Sequence, residues 1–326
     1  MKTRRTLVLG LGSAACLLPF RAALAQSKPK RIGVISGGRE PVAGKPHSFL
    51  LGMREIGYIE GRDFVIEWRF AEGRYERLGP FADELVRLPV DLIVALNTRG
   101  ALEAQRATKT IPIVFASISD PLGSGLVPSL SHPGGNTTGV SVGLDDTVTK
   151  HLELMRTTLP RFTRVGVLIN PDNPLFERPL ARLQEAAKAS NTEVAPVFAR
   201  NVDEIATGFA SLRASATSGV VVFDDSLFIG RGRELADAAL RFGLPTIAGN
   251  RDYADSGLLY SYGGLISEQF GRAAYYVDKI FRGARPGDLP VEQPTRYFFV
   301  INRKTARALG LTLPAELFLR ADAVVE

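Results

Sequence analysis

Arg31-Ile32-Gly33-Val34-Ile35 decides the fold, because the same reading returns as Arg164-Val165-Gly166-Val167-Leu168. Working outward, Phe64–Trp68 is answered by Glu193–Val197, Asp91–Leu96 by Gly219–Asp224, and Ile111–Ala116 by Leu244–Ala248. The offsets between first residues are 133, 129, 128 and 133. Self-similarity at a fixed, domain-sized period marks duplicated architecture. Short, unbroken apolar runs such as Asp91–Leu96 and Val220–Phe223 suit strands buried on both faces, as in a parallel sheet covered by helices.

Helical spacing separates these runs: Tyr75, Leu78, Phe81, Leu85 and Leu88; Ile205, Phe209 and Leu212; Phe270, Ala274, Val277 and Phe281. Strands alternating with helices of this length are βαβ units. The fold class is therefore α/β, with two similar doubly wound parallel-sheet lobes. After Tyr262-Gly263-Gly264 one helix is expected over Ser267–Arg282, then a Gly/Pro-rich turn and a strand over Arg296–Ile301. These are too few for a third domain and instead complete the two lobes. The expected organisation is an N-terminal lobe over 29–140 plus 263–291 and a C-terminal lobe over 141–262 plus 292–326. The chain then crosses three times between lobes, which makes a hinge.

Residues 1–25 stand apart as a signal peptide. Lys2, Arg4 and Arg5 form a basic start, Thr6–Phe20 is mostly apolar, and Ala23-Leu24-Ala25 offers a small-residue cleavage site before Gln26. Cleavage after Ala25 would release the chain to the periplasm. Thr3-Arg4-Arg5-Thr6-Leu7 also resembles a twin-arginine signal, although paired arginines occur in Sec signals too. Cys16, the single cysteine, lies inside this segment, and Ser13 stands where a lipoprotein signal needs an apolar residue. The mature chain thus has no thiol, disulfide or cysteine-based metal site.

The formal charge of +6 is largely contributed by Lys2, Arg4, Arg5 and Arg21 of that leader, which leaves the mature chain near +2. Its basic and acidic residues are interleaved, which argues against nucleic acid as a partner. No later apolar run approaches the roughly 18 residues of a membrane helix.

In open parallel α/β sheets, ligands bind at loops beyond the carboxyl ends of strands. The first-half loops are Ser36-Gly37-Gly38, Asn97-Thr98 and Ser117-Ile118-Ser119-Asp120-Pro121. Their second-half counterparts are Asn170-Pro171-Asp172-Asn173, Asp224-Asp225-Ser226 and Asn250-Arg251-Asp252. Candidate ligand contacts are Ser36, Gly37, Asn97, Thr98, Ser117, Asp120, Asn170, Asn173, Asp224, Asp225, Asn250 and, at the last crossover, Tyr262. Asp120, Asp224 and Asp225 suit an ammonium group; helix N-termini and the Ser36-Gly37-Gly38 amides suit a carboxylate. Each of these residue types is equally a turn or capping residue, so each keeps that second reading. Asp120, held extended by Pro121, either faces the cleft or caps a helix beginning near Leu122. Tyr260 and Tyr262 either stack on an apolar ligand portion or pack within the sheet and hinge. The one Trp, Trp68, sits in a strand interior.

Catalytic and metal residues are not expected. His47, His132 and His151 lack metal-ligand spacing and read as surface or capping residues. Gly38–Lys45 only superficially suggests a phosphate loop, because five residues separate Gly38 from Gly44 and Pro46 follows Lys45. No organic cofactor is implied.

Several segments together resemble a family. They include Leu51-Gly52-Met53-Arg54-Glu55-Ile56-Gly57-Tyr58, Glu67-Trp68-Arg69-Phe70-Ala71-Glu72-Gly73, Ser119-Asp120-Pro121 and Pro133-Gly134-Gly135-Asn136. Tyr276-Val277-Asp278-Lys279-Ile280, Leu289-Pro290-Val291-Glu292-Gln293-Pro294 and Ala308-Leu309-Gly310-Leu311 extend the likeness over nearly all of 30–326. The chain is similar to the ABC transporter substrate-binding proteins of the periplasmic binding protein type I fold, a group that includes aromatic amino-acid binders. The resemblance implies a solute receptor, expected as a monomer, that serves an inner-membrane ABC permease and its ATPase. An amino acid or related compound is the expected solute. The competing readings are a periplasmic sensory receptor signalling to a kinase or chemoreceptor, and an exported enzyme with a carboxylate such as Asp120 as general base.

Overall fold

The computed structural model describes residues 28–41, 47–143, 147–159, 161–173 and 175–326. The segment expected as a leader, with its expected cleavage site and Cys16, lies outside the described residues. The first sheet contains β1 (Lys30–Ser36), β2 (Phe64–Phe70), β3 (Leu92–Ala95), β4 (Ile113–Ile118) and β5 (Thr137–Ser141) in the order β2-β1-β3-β4-β5. All its neighbours pair in parallel.

The second sheet contains β6 (Arg164–Ile169), β7 (Glu193–Phe198), β8 (Gly219–Val222), β9 (Thr246–Ala248), β10 (Tyr260–Gly263), β11 (Phe298–Asn302) and β12 (Ala323–Val325). Its order is β12-β11-β10-β9-β8-β6-β7. Parallel pairing holds from β6 to β10, but β11 runs antiparallel to β10, with Tyr260 opposite Ile301. The reversal arises because the chain leaves this sheet after β10 and re-enters it from the other lobe.

Helices cover both faces of each sheet, as near-continuously apolar strands require. In the first, α2 (Leu78–Arg87) and α3 (Thr98–Ala107) cover one face, and α1 (Ser48–Glu55) with α9 (Ile266–Phe281) the other. Alternation along β1 divides the core accordingly. Ile32 and Val34 pack with Phe49, Met53, Ala274 and Val277, whereas Ile35 packs with Leu78, Leu85 and Ala101.

In the second sheet, α4 (Val148–Thr158) and α5 (Glu177–Lys188) lie opposite α6 (Val202–Ala214), α7 (Gly232–Phe242) and α8 (Arg251–Ser256). Val165, Val167 and Ile169 pack with Leu152, Met155 and Leu183, while Leu168, Val220 and Val222 pack with Ile205, Phe209 and Leu235. Two short C-terminal helices, α10 (Arg303–Ala308) and α11 (Ala315–Arg320), complete the fold. The halves are thus two similar α/β lobes.

Three connections run between the lobes: after β5, between β10 and α9, and from Glu292 to β11. They lie side by side. The Ser141 amide donates to the Glu292 carbonyl at 2.8 Å, the Glu292 amide to the Gly139 carbonyl at 3.1 Å, and the Tyr297 hydroxyl to the Gly143 carbonyl at 3.2 Å. Among the described residues no helix is long and apolar enough to cross a membrane.

Some local expectations differ. The fourth strand starts at Ile113 because Pro112 has no amide to donate to the ladder. Tyr75 leads a short 3-10 turn, Tyr75–Arg77, before α2, rather than continuing the helical stripe. Residues 121–125 are turns, so no helix begins near Leu122 for Asp120 to cap. His151 is neither superficial nor a cap. It is buried, with Nε2 2.7 Å from the Tyr262 carbonyl oxygen, and burial pushes its pKa down to about 4.

Candidate functional site

The strand-end loops of both sheets meet around a small cavity of about 40 Å³ between the lobes. The first lobe contributes Tyr75, Leu96, Asn97, Thr98, Arg99, Ser117 and Ser119; the second contributes Asn173, Asp224, Asp225, Ser226 and Ile229. Arg99 is ion-paired with Glu103 of its own helix. Val142 and Ile266, beside two of the crossovers, close it.

Each polar group has a local reason for its position. Asn97 caps α3, its Oδ1 accepting from the Gly100 amide at 3.1 Å, while its buried Nδ2 has no partner. Ser117 takes a positive φ of 60° where the β4–β5 register shifts. Such a bulge re-aims a side chain that a regular strand would send elsewhere. Gly37 is wedged between lobes: a Cβ there would lie 2.5 Å from Asn97 Nδ2 on one side and 2.5 Å from Ser226 Oγ on the other.

The two adjacent acids differ in their surroundings. Asp225 is buried and accepts four hydrogen bonds. Tyr75 Oη at 2.6 Å and Asn173 Nδ2 at 3.0 Å donate to Oδ2; Asn170 Nδ2 at 2.9 Å and the Leu227 amide at 2.8 Å donate to Oδ1. The Tyr75 bond crosses between lobes. Burial still pushes the Asp225 carboxyl upward, but these donors pull it back and favour its ionised form.

Asp224 lacks that support, and its Oδ1 is buried without a partner. Burial first, and then the charge of Asp225, raise its pKa to about 7 against the opposing pull of the Gly249 amide. Of this coupled pair, Asp225 takes the charge first, and Asp224 keeps its proton until the pH rises through about 7. A cation placed beside Asp224 would reverse that preference.

The twelve sequence-derived candidates divide cleanly. Asn97, Thr98, Ser117, Asn173, Asp224 and Asp225 line the cavity. Asn170 stands behind it, orienting Asp225. Gly37 allows the lobes to approach, and Ser36, whose Oγ accepts from the Gly38 amide at 3.1 Å, lines a neighbouring chamber.

Three candidates are placed elsewhere. Asp120 accepts from the Gly123 amide at 2.8 Å and forms an ion pair with Arg178 of α5 on the opposite lobe, so its carboxylate is committed outside the cavity. Asn250 caps α8 by accepting from the Asp252 amide at 3.4 Å. Tyr262 packs in the second lobe's core, edge-on to His151 at 6.2 Å and tilted against Tyr297 at 5.9 Å.

Tyr75, Leu96, Arg99, Ser119, Val142, Ser226, Ile229 and Ile266 line the cavity without being among the sequence-derived candidates. Ser119 and Ser226 sit inside strand-end loops that the sequence did single out. Tyr75 was absorbed into a helical stripe, and nothing local signals that its hydroxyl reaches the other lobe. Among the described residues no group of His, Cys, Asp or Glu is arranged to hold a metal ion.

Two α/β lobes, three parallel connections and a polar cavity at facing strand ends define a two-lobed solute-binding protein. The family model described as "ABC transporter substrate binding protein" matches residues 44–325, and the chain belongs to that family. A relative named "Tyrosine-binding protein", from Clostridioides difficile, is 29% identical over 286 residues, 87% of this chain and 82% of the relative. A conserved domain protein from Vibrio cholerae is similar in structure, with 25% identity, a TM-score of 0.82, and coverage of 91% of this chain and all of that one. A Streptococcus pneumonia domain in complex with L-Trp gives a TM-score of 0.79 at 24% identity over 91% of this chain and 100% of its own. The ligand-free, open structure of a Clostridium difficile substrate-binding protein with adhesive properties gives 0.62 at 25% identity, covering 91% and 99%. The family's members are solute-binding proteins that serve ABC permease–ATPase complexes rather than enzymes.

Proposed function

We propose that this chain is the exported, periplasmic receptor of an ABC importer and that it closes its two lobes, 29–140 plus 263–291 and 141–262 plus 292–326, on an amino acid. The observation that carries the ligand class is the pairing of unmet polar groups across the cavity. Asp224 offers an unpartnered carboxylate oxygen from the second lobe, and Asn97 an unpartnered amide N–H from the first, beside the α3 N-terminus. An ammonium answers the first and a carboxylate the second. Relatives named for tyrosine binding and solved with L-Trp support the same class.

Closure rests on the inter-lobe bonds of Tyr75 and Asp120 and on the better superposition with the Trp complex, 0.79, than with the ligand-free open relative, 0.62. Ligand bridging both walls would shift a hinge equilibrium toward this arrangement. Isothermal titration of the mature chain with L-amino acids and with sugars tests the reading. Micromolar binding, about −8 kcal/mol, is expected for an amino acid; binding of sugars with none of amino acids refutes it.

A further inference from the structure

The two walls of the cavity carry opposite charge. Asp224 and Asp225 stand on the second lobe. The first lobe faces them with the N-terminus of α3, the partly positive end of a ten-residue helix, and with Arg99 in its first turn. Asn97, which caps that helix, is 7% exposed and lines the same space with an Nδ2 that has no partner. We propose, resting on the amino-acid reading above, that Arg99 is the residue that reads the solute's free carboxylate, so that the cavity takes zwitterions and rejects the corresponding amides, esters and decarboxylated amines.

Arg99 is placed to be given up to a ligand. Its side chain is 41% exposed and reaches Glu103, one turn along α3, at 2.7 Å. An i,i+4 pair with one end so exposed holds its arginine loosely. Glu103 does not depend on it. Arg106 Nε also donates to Glu103 at 2.8 Å, and Arg106 pairs in turn with Asp83 of α2 at 2.7 Å. Arg99 can therefore turn to an anion in the cavity without leaving Glu103, whose side chain is 13% exposed, as an unpaired carboxylate.

The chemistry of the two groups sets the selection. A guanidinium presents paired N–H groups that match both oxygens of a carboxylate. A carboxamide offers one oxygen and an NH₂, so one of those N–H groups meets another donor. An amine without a carboxyl group leaves both Arg99 and Asn97 Nδ2 unanswered while still burying the latter. If Arg99 were only a surface partner of Glu103, its loss would weigh equally on an acid and its amide.

The test is titration calorimetry of the full mature chain with the common L-amino acids, followed by the carboxamide of whichever binds most tightly. Wild type should prefer the acid over its amide about thirtyfold or more, and Arg99→Leu should cut that preference about tenfold or more. Because both proteins are titrated at one pH, the weaker basicity of the amide's amino group cancels between them. The ligand-free Arg99→Leu protein should melt within about 2 °C of wild type, since only an exposed pair is lost. If an amino acid binds but its preference over the amide changes less than twofold in Arg99→Leu, the Arg99 assignment is overturned while the amino-acid reading stands. If no amino acid binds, both fall.

Discussion

Asp224→Asn should make the protein more stable and a poorer receptor at once. The buried Oδ1 of Asp224 has no partner, and burial has raised its pKa from 3.8 to about 7. Its folded-state pKa stands above its unfolded value. The stability tied to the neutral form is therefore fully present below pH 3.8 and is lost as pH rises through about 7. Asparagine keeps the shape and never ionises. At pH 8 it removes the cost of a poorly satisfied buried carboxylate, about 1–3 kcal/mol. At about 2–4 °C per kcal/mol, that raises the ligand-free Tm by several degrees. The difference should be smaller at pH 5 than at pH 8 and should vanish only near pH 3.8, where Asp224 is neutral in the unfolded chain as well. Ligand affinity should fall in the other direction. A hydrogen bond to a charged partner is worth about 1.5–3 kcal/mol, so the Kd for the amino acid rises about 10- to 150-fold. Differential scanning fluorimetry at both pH values and calorimetry at pH 8 read these effects. An unchanged Tm difference between pH 5 and pH 8, or a Kd within twofold of wild type, would show that Asp224 neither carries the unmet charge nor meets the ligand.

Three further substitutions separate cavity, latch and surface. Tyr75→Phe deletes the 2.6 Å inter-lobe bond to Asp225 and should weaken ligand binding about tenfold or more, read by calorimetry. Asp120→Asn weakens an ion pair whose arginine side chain is 54% exposed, so affinity should stay within about fivefold; a loss approaching 100-fold would return Asp120 to the binding site. Gly37→Ala drives a methyl group between Asn97 and Ser226, and should raise the small-angle-scattering radius of gyration of the ligand-bound protein toward that of an open form while leaving secondary structure by circular dichroism unchanged.

The architecture was legible because parallel strands buried on both faces write themselves as contiguous apolar runs, and a duplicated lobe writes them twice. Arg31–Ile35 and Arg164–Leu168 are β1 and β6, the inner strands of their sheets, flanked by β2 with β3 and by β7 with β8. Half of the candidate residues were legible by the same logic, since strand ends point at the cleft whatever the loop sequence. Asp120, Asn250 and Tyr262 share their residue types with the residues that line the cavity. Asp120 and Tyr262 are separated from them by partners distant in sequence, Arg178 and the His151–Tyr297 pocket, whereas Asn250 is held by a local cap on the Asp252 amide. Tyr75 was hidden for the opposite reason. An apolar ring at helical spacing looks like core, and only the lobe-to-lobe approach brings its hydroxyl to Asp225, 150 residues away.

On the proposed closing reading, Asp224 and Asp225, neighbours in sequence, act on one hinge equilibrium in opposite ways. Asp225 is satisfied only when Tyr75 arrives from the other lobe, because its remaining three donors all belong to the second lobe. On the proposed reading that bond favours the closed arrangement with or without a solute. Asp224 differs, because its Oδ1 is buried in this arrangement with no partner in the protein. On the same reading the solute's ammonium meets that oxygen, so closure without ligand stays incomplete while closure with ligand is reinforced by the Tyr75 bond. A receptor with two satisfied acids would close empty, and one with two unsatisfied acids would close weakly even when loaded. One of each would make the proposed hinge answer to the ligand.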